Sequence, residues 1–101
     1  MSRISTIDFL SFCKSLAGQE IGTIGGRAKF MVKVVGDGLE FTPLISGKPR
    51  LHDGSYVDRV LDDFKKTQSF TTTRYSGYTA NSSYQLALIK RYQDEKKTGK
   101  E

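Results

Sequence analysis

Residues 27–45 read RAKFMVKVVGDGLEFTPLI, and few regular structures accommodate that pattern. Ala28, Phe30, Val32 and Val34 alternate with Arg27, Lys29, Met31, Lys33 and Val35. A period of two sends the first set to one side of an extended strand and the second to the other. Gly36-Asp37-Gly38 supplies a tight turn, and LEFTPLI returns with Leu39, Phe41 and Ile45 in step. The segment therefore predicts a β-hairpin of about 27–35 and 38–45. Its polar side carries Arg27, Lys29 and Lys33, partly offset by Glu40 and Thr42 on the returning strand.

The remaining apolar residues recur at helical spacing. Phe9, Leu10, Cys13, Leu16 and Ala17 predict a first helix over about 6–17, capped by Ser5 or Thr6, with Gly18 at the left-handed stop. Val57, Val60, Leu61 and Phe64 predict a second over about 54–66, with Asp53 or Ser55 as its cap. Asp58, Asp62 and Asp63 make its outer face acidic, and Lys65 and Lys66 close it, which suits the helix dipole. Tyr84, Leu88, Ile89 and Tyr92 predict a third over about 83–93, and Ser82 with Gln85 reads as a capping box. The tail at 94–101 has no apolar residue and is expected to fray. EIGTIGGR at 20–27 lacks the spacing of a phosphate-binding glycine loop and reads as a bent short strand. Pro49 and Gly47 make 46–55 a loop, and Thr67 to Thr73 is compatible with a short third strand through Phe70. The expected fold is one α+β domain of 101 residues, a small antiparallel sheet covered by three helices on one face.

Charge is the main functional signal. The chain carries +5, and the excess lies in two internal segments: residues 27–52 hold five basic and two acidic side chains, and 67–93 hold three basic and none acidic. That distribution suits an anionic partner. Lys and Arg neutralise phosphates and helix N-termini donate N–H groups to them, which nominates Lys48 and Arg50 beside Pro49, and Arg74, Asn81 and Ser82 ahead of the third helix. Tyr75 and Tyr78 are candidates to stack on unpaired bases. With Arg27, Lys29 and Lys33 they form a candidate nucleic-acid-binding set. Known nucleic-acid-binding motifs are missing from the chain, so binding tolerant of sequence is the expectation.

The alternative is a protein-interaction module, a homodimer or an inhibitor-like partner protein, using an open sheet edge and Met31, Val35 and Leu44 on the less buried face. A small-ligand pocket between sheet and third helix, lined by Tyr84 and Phe70, is a further option. Enzyme signatures are weak. His52-Asp53 is the only His–carboxylate neighbour pair, and Asp53 is accounted for as a cap. The spacings HxxxH and CxxC are missing, so neither a metal nor a cofactor is expected. Cys13 lies in an apolar helical pattern and reads as a small hydrophobe of a reducing, cytoplasmic setting. No run approaches the ~20 apolar residues that a membrane helix needs.

Three segments, GDGLEF at 36–41, SGKPR at 46–50 and YTANSSYQLALI at 78–89, together resemble small uncharacterised bacterial proteins carried on mobile elements, such as integron gene cassettes. The resemblance spans most of the chain and implies a bacterial or phage-like source and a stand-alone protein. Its motifs carry no active site that could be transferred to these residues.

Overall fold

The computed structural model describes residues 5–26, 28–71, 75 and 81–98. Its elements run α1 (Thr6–Ser15), β1 (Ile21–Gly22), β2 (Lys29–Val35), β3 (Gly38–Pro43), β4 (Arg50–His52), α2 (Gly54–Thr67) and α3 (Ser82–Thr98). The four strands form one antiparallel sheet in the order β1-β2-β3-β4. The α+β architecture and the hairpin at its centre are as the sequence predicts.

Alternation sets the two faces. Phe30, Val32, Leu39 and Phe41 are buried among the helices, whereas Lys29, Lys33 and Val35 are exposed on the other side. Val35 pairs with Gly38, so the hairpin loop is only Gly36 and Asp37. Gly36 has φ +62° while Asp37 stays outside the left-handed region, as in a turn of the II′ kind, whose twist matches that of the strands. The second strand of the hairpin stops at Pro43, earlier than the pattern suggests, and Ile45 is 96% exposed. Gly47 has φ +67° and donates its N–H to Pro43 O at 2.8 Å, which turns the chain out of the sheet.

Of the two outer strands, one falls where the sequence reads a bent short strand and the other where it reads a loop. The bent segment after α1 contributes Ile21–Gly22, paired with Phe30 and Lys29. The loop at 46–55 contains β4, whose Arg50, Leu51 and His52 pair with Phe41, Glu40 and Leu39. The third strand expected through Phe70 is not formed among the described residues. Thr67 still belongs to α2, and half-buried Phe70 instead lays its ring 4.9 Å from that of Phe64.

The helices are capped by the chain in ways only partly foreseen. Ser5 accepts from the Asp8 N–H at α1, and Gly18 has φ +86° just past its end. Asp53 stands at the N-cap of α2, but its carboxylate accepts from Ser55 Oγ at 2.9 Å rather than from a backbone N–H. At α3 the carbonyl of Asn81 receives the Tyr84 and Gln85 N–H groups. Ser82 and Gln85 do not make the expected capping box, because both side chains are turned into the interior. The helix also continues to Thr98, beyond the reach of its apolar pattern.

Helix α3 occupies the middle of the core. Leu86, Ala87, Leu88 and Ile89 are four successive residues and all are buried, which a helix achieves only when it is enclosed on every side. Its Tyr84 ring packs 4.8 Å from Phe30 and 5.2 Å from Phe41, on the sheet. Its Tyr92 ring meets Phe12 of α1 edge-on at 5.3 Å. Each large aliphatic side chain removed from water there contributes about 1.5–3 kcal/mol. Tyr84 and Phe70 both pack against the one core, Tyr84 over Phe30 and Phe41 and Phe70 against Phe64. Among the described residues, no helix is long and apolar enough to cross a membrane.

Candidate functional site

The helices cover one face of the sheet and leave the other open. In register across that open face stand Lys33, Glu40 and Leu51, with Met31 and Thr42 as the next row on β2 and β3. Lys29 and Lys33 lie four residues apart on one side of β2, about 13 Å at the rise of an extended strand. Both are exposed, while Glu40 and Thr42 are half-buried. Lys48 and Arg50 are exposed on the segment that leads into β4, at the sheet's edge. Arg50 pairs with Phe41 and so points to the helix-side face, where the edge of the sheet keeps it in solvent.

The other nominated residues fare differently. Arg27, Arg74 and Tyr78 lie outside the described residues. Tyr75 is fully buried and donates its hydroxyl to Ser69 O at 2.8 Å, so its ring cannot stack on a base. Ser82 is 3% exposed, which removes its hydroxyl from any phosphate. Asn81 is half-buried and its side-chain amide donates to Leu51 O at 3.5 Å, tying the start of α3 to β4. Of the expected phosphate seat at the third helix, burial thus takes out Ser82, and Asn81 is engaged with Leu51. Lys29, Lys33 and Arg50 on the sheet, and Lys48 on the loop before β4, remain as an exposed basic set.

Sequence reasoning missed the most constrained polar group in the fold. His52, the last residue of β4, is 1% exposed, and its Nε2 lies 2.6 Å from Gln85 Oε1 on α3. Gln85 Nε2 in turn donates to Val57 O on α2 at 3.0 Å. A carbonyl can only accept, so the amide of Gln85 must face Val57 with its nitrogen and His52 with its oxygen. His52 Nε2 therefore carries the proton, and Nδ1 keeps a lone pair that is buried without a hydrogen-bond partner. The ring is held 5.2 Å from Phe41 and 5.9 Å from Tyr56, the latter nearly parallel at 22°. One polar bridge thus joins β4, α2 and α3 across the core. Nothing local announces it, since 33 positions separate the two side chains.

Burial holds the His52 pKa below its ordinary 6.5, against the opposing pull of the Gln85 hydrogen bond and the Asp53 charge. The folded imidazole refuses a proton that the unfolded chain accepts. Stability is then undiminished above about pH 6.5 and falls as the pH drops below it, until the folded pKa is reached, with a slope of up to about 1.4 kcal/mol per pH unit. Urea midpoints measured from about pH 7 down to about pH 5 should show this decline. The paired replacement His52→Phe with Gln85→Leu should flatten it.

Reactive side chains are scarce. Burial pushes the Cys13 thiol up to about 12, so it is not a nucleophile near neutrality. Among the described residues, no three His, Cys, Asp or Glu side chains converge as a metal centre requires. No family model, no curated protein and no solved structure matches the chain.

Proposed function

We propose that this protein binds nucleic acid without catalysis, meeting phosphates on the open face of its sheet and along the edge that leads into β4. The observation that carries the reading is the uncovered sheet face: helices occupy only the other side, and Lys29 and Lys33 project from β2 into solvent. Lys48 and Arg50 extend the positive area around the edge, and Glu40 alone opposes them on the strands. Phosphate contacts of this kind position a strand without reading its bases. Binding is accordingly sequence-tolerant and governed by counterion release.

Four phosphate contacts on a single strand give a slope of log K against log salt of about −3. Fluorescence anisotropy with short labelled oligonucleotides across a salt series measures it. Replacing Lys29 or Lys33 by alanine is expected to weaken binding similarly for every sequence and to make the slope shallower by about 0.7 each. Absence of binding at low salt, or affinity indifferent to replacement of all four cations, excludes the reading.

A protein partner is the second reading, favoured by a specific feature of the same face. Leu51 is 71% exposed and Val35 44%, and they flank the Lys33–Glu40 row. Apolar side chains rimmed by charge suit a homodimer or another protein surface. Mass measured in solution over a concentration range separates the two, since association through apolar contacts survives salt that strips off an oligonucleotide.

A further inference from the structure

The hairpin loop and the start of α2 enclose a cleft of about 370 Å³, on a part of the surface whose charge runs opposite to that of the chain. Val35, Leu39 and Leu51 form aliphatic walls, Tyr56 an aromatic one, and Asp37 and Asp53 bring two carboxylates. We propose that this cleft binds a small organic cation: an amine, protonated near neutrality, carried on an apolar or single-ring body.

Asp37 and Asp53 are both exposed, and no Lys or Arg lines the cleft, on a chain of net charge +5. His52 also borders it and adds no compensating charge, since its buried ring is neutral and its Nδ1 carries a lone pair rather than a proton. Tyr56 aside, the polar side chains here are thus acceptors only. The positive end of α2 opposes a cation, with a strength of about half a unit charge. Asp37 already answers it: its Oδ1 lies 2.8 Å from where a Cβ on Gly54 would stand, directly against the first residue of the helix. The remaining balance is negative.

Shape and wall chemistry agree with that sign. A volume of about 370 Å³ is at the small end of ligand sites and suits one ring with a short amine arm. Tyr56 is 38% exposed and offers an aromatic face, on which ammonium groups gain about 0.5–1 kcal/mol at exposed sites. Two carboxylates, one from the hairpin loop and one from the helix cap, meet the amine while the aliphatic walls take the ring. A phosphate-bearing ligand meets repulsion from Asp37 and Asp53 here, although Val35 and Leu51 also border the basic sheet face.

The test uses the whole chain and titrates it with 2-phenylethylamine while backbone amide signals are followed by NMR. Phenylacetate and 2-phenylethanol serve as anionic and neutral probes of similar size. Saturable shifts confined to Asp37, Gly38, Leu51, Gly54 and Tyr56 are expected with the amine, at dissociation constants of about 1 mM. The alcohol should bind about tenfold more weakly. Asp53→Asn, which preserves a capping residue, is expected to weaken the amine severalfold. Leu51→Lys, at a position that is 71% exposed, should leave the fold intact and abolish amine binding. No saturable shift with the amine, equal binding of phenylacetate, or an affinity unchanged in both variants overturns the proposal.

Discussion

Replacing Gly38 by alanine is expected to lower the unfolding free energy by about 3 kcal/mol, a large share of what a domain of this size possesses. The residue opens β3 and passes beneath the junction of β4 with α2. A Cβ there would lie 2.7 Å from His52 O, 3.0 Å from Gly54 N and 3.2 Å from Asp53 C. All three are backbone atoms, so no side chain can rotate away to make room. The partner glycine is equally confined, because a Cβ on Gly54 would stand 2.7 Å from Asp37 Cγ and 2.8 Å from Asp37 O. The hairpin loop and the helix start therefore interlock through two residues without side chains. Gly36→Ala supplies the comparison. Its φ of +62° is costly for alanine, but open space surrounds it, so about 1–2 kcal/mol is expected. Urea denaturation of the two variants measures both losses. A Gly38→Ala variant no weaker than Gly36→Ala would show that the close approach does not exist.

The second large effect concerns the polar bridge. Gln85→Leu should destabilise the protein by about 2–3 kcal/mol, because the Nε2–H of His52 is left buried without an acceptor. The carbonyl of Val57 loses only its contact with Gln85 Nε2 and adds little. Leucine at this fully buried position returns some apolar contact, yet cannot accept a proton. Converting His52 to phenylalanine as well removes the stranded donor and places an apolar ring between Phe41 and Tyr56. The double variant should regain about 1 kcal/mol or more relative to the summed single losses. Additive losses would mean that the 2.6 Å contact between the two side chains contributes nothing of its own.

How much of this could be read from the residues alone depended on the range of the forces involved. Period-two alternation placed Lys29 and Lys33 on the open face, and helical spacing placed Val57, Val60, Leu61 and Phe64 in the core, because both patterns are local. β4 escaped notice for the opposite reason. Its three residues sit between Pro49 and Asp53, carry no alternation of their own, and become a strand only by pairing with Leu39, Glu40 and Phe41. Tyr75 misled similarly. Hydroxyl-rich neighbours suggest a surface ring, yet the hydroxyl finds Ser69 O and the ring is buried. Gln85 looked like half of a capping box until a histidine from another element claimed its oxygen. For β4 and Gln85, a contact distant in sequence outweighed a valid local preference.

The enclosure of α3 bears on the order of events during synthesis. A ribosome delivers the sheet and the two earlier helices first, yet the helix that fills the space between them comes last among the elements. Until Leu86 to Ile89 have emerged, Phe30 and Phe41 can meet each other and the earlier helices can meet the sheet, but the core lacks the four side chains that complete it. The earlier segments can therefore collapse onto one another, and their packing is completed only when α3 arrives.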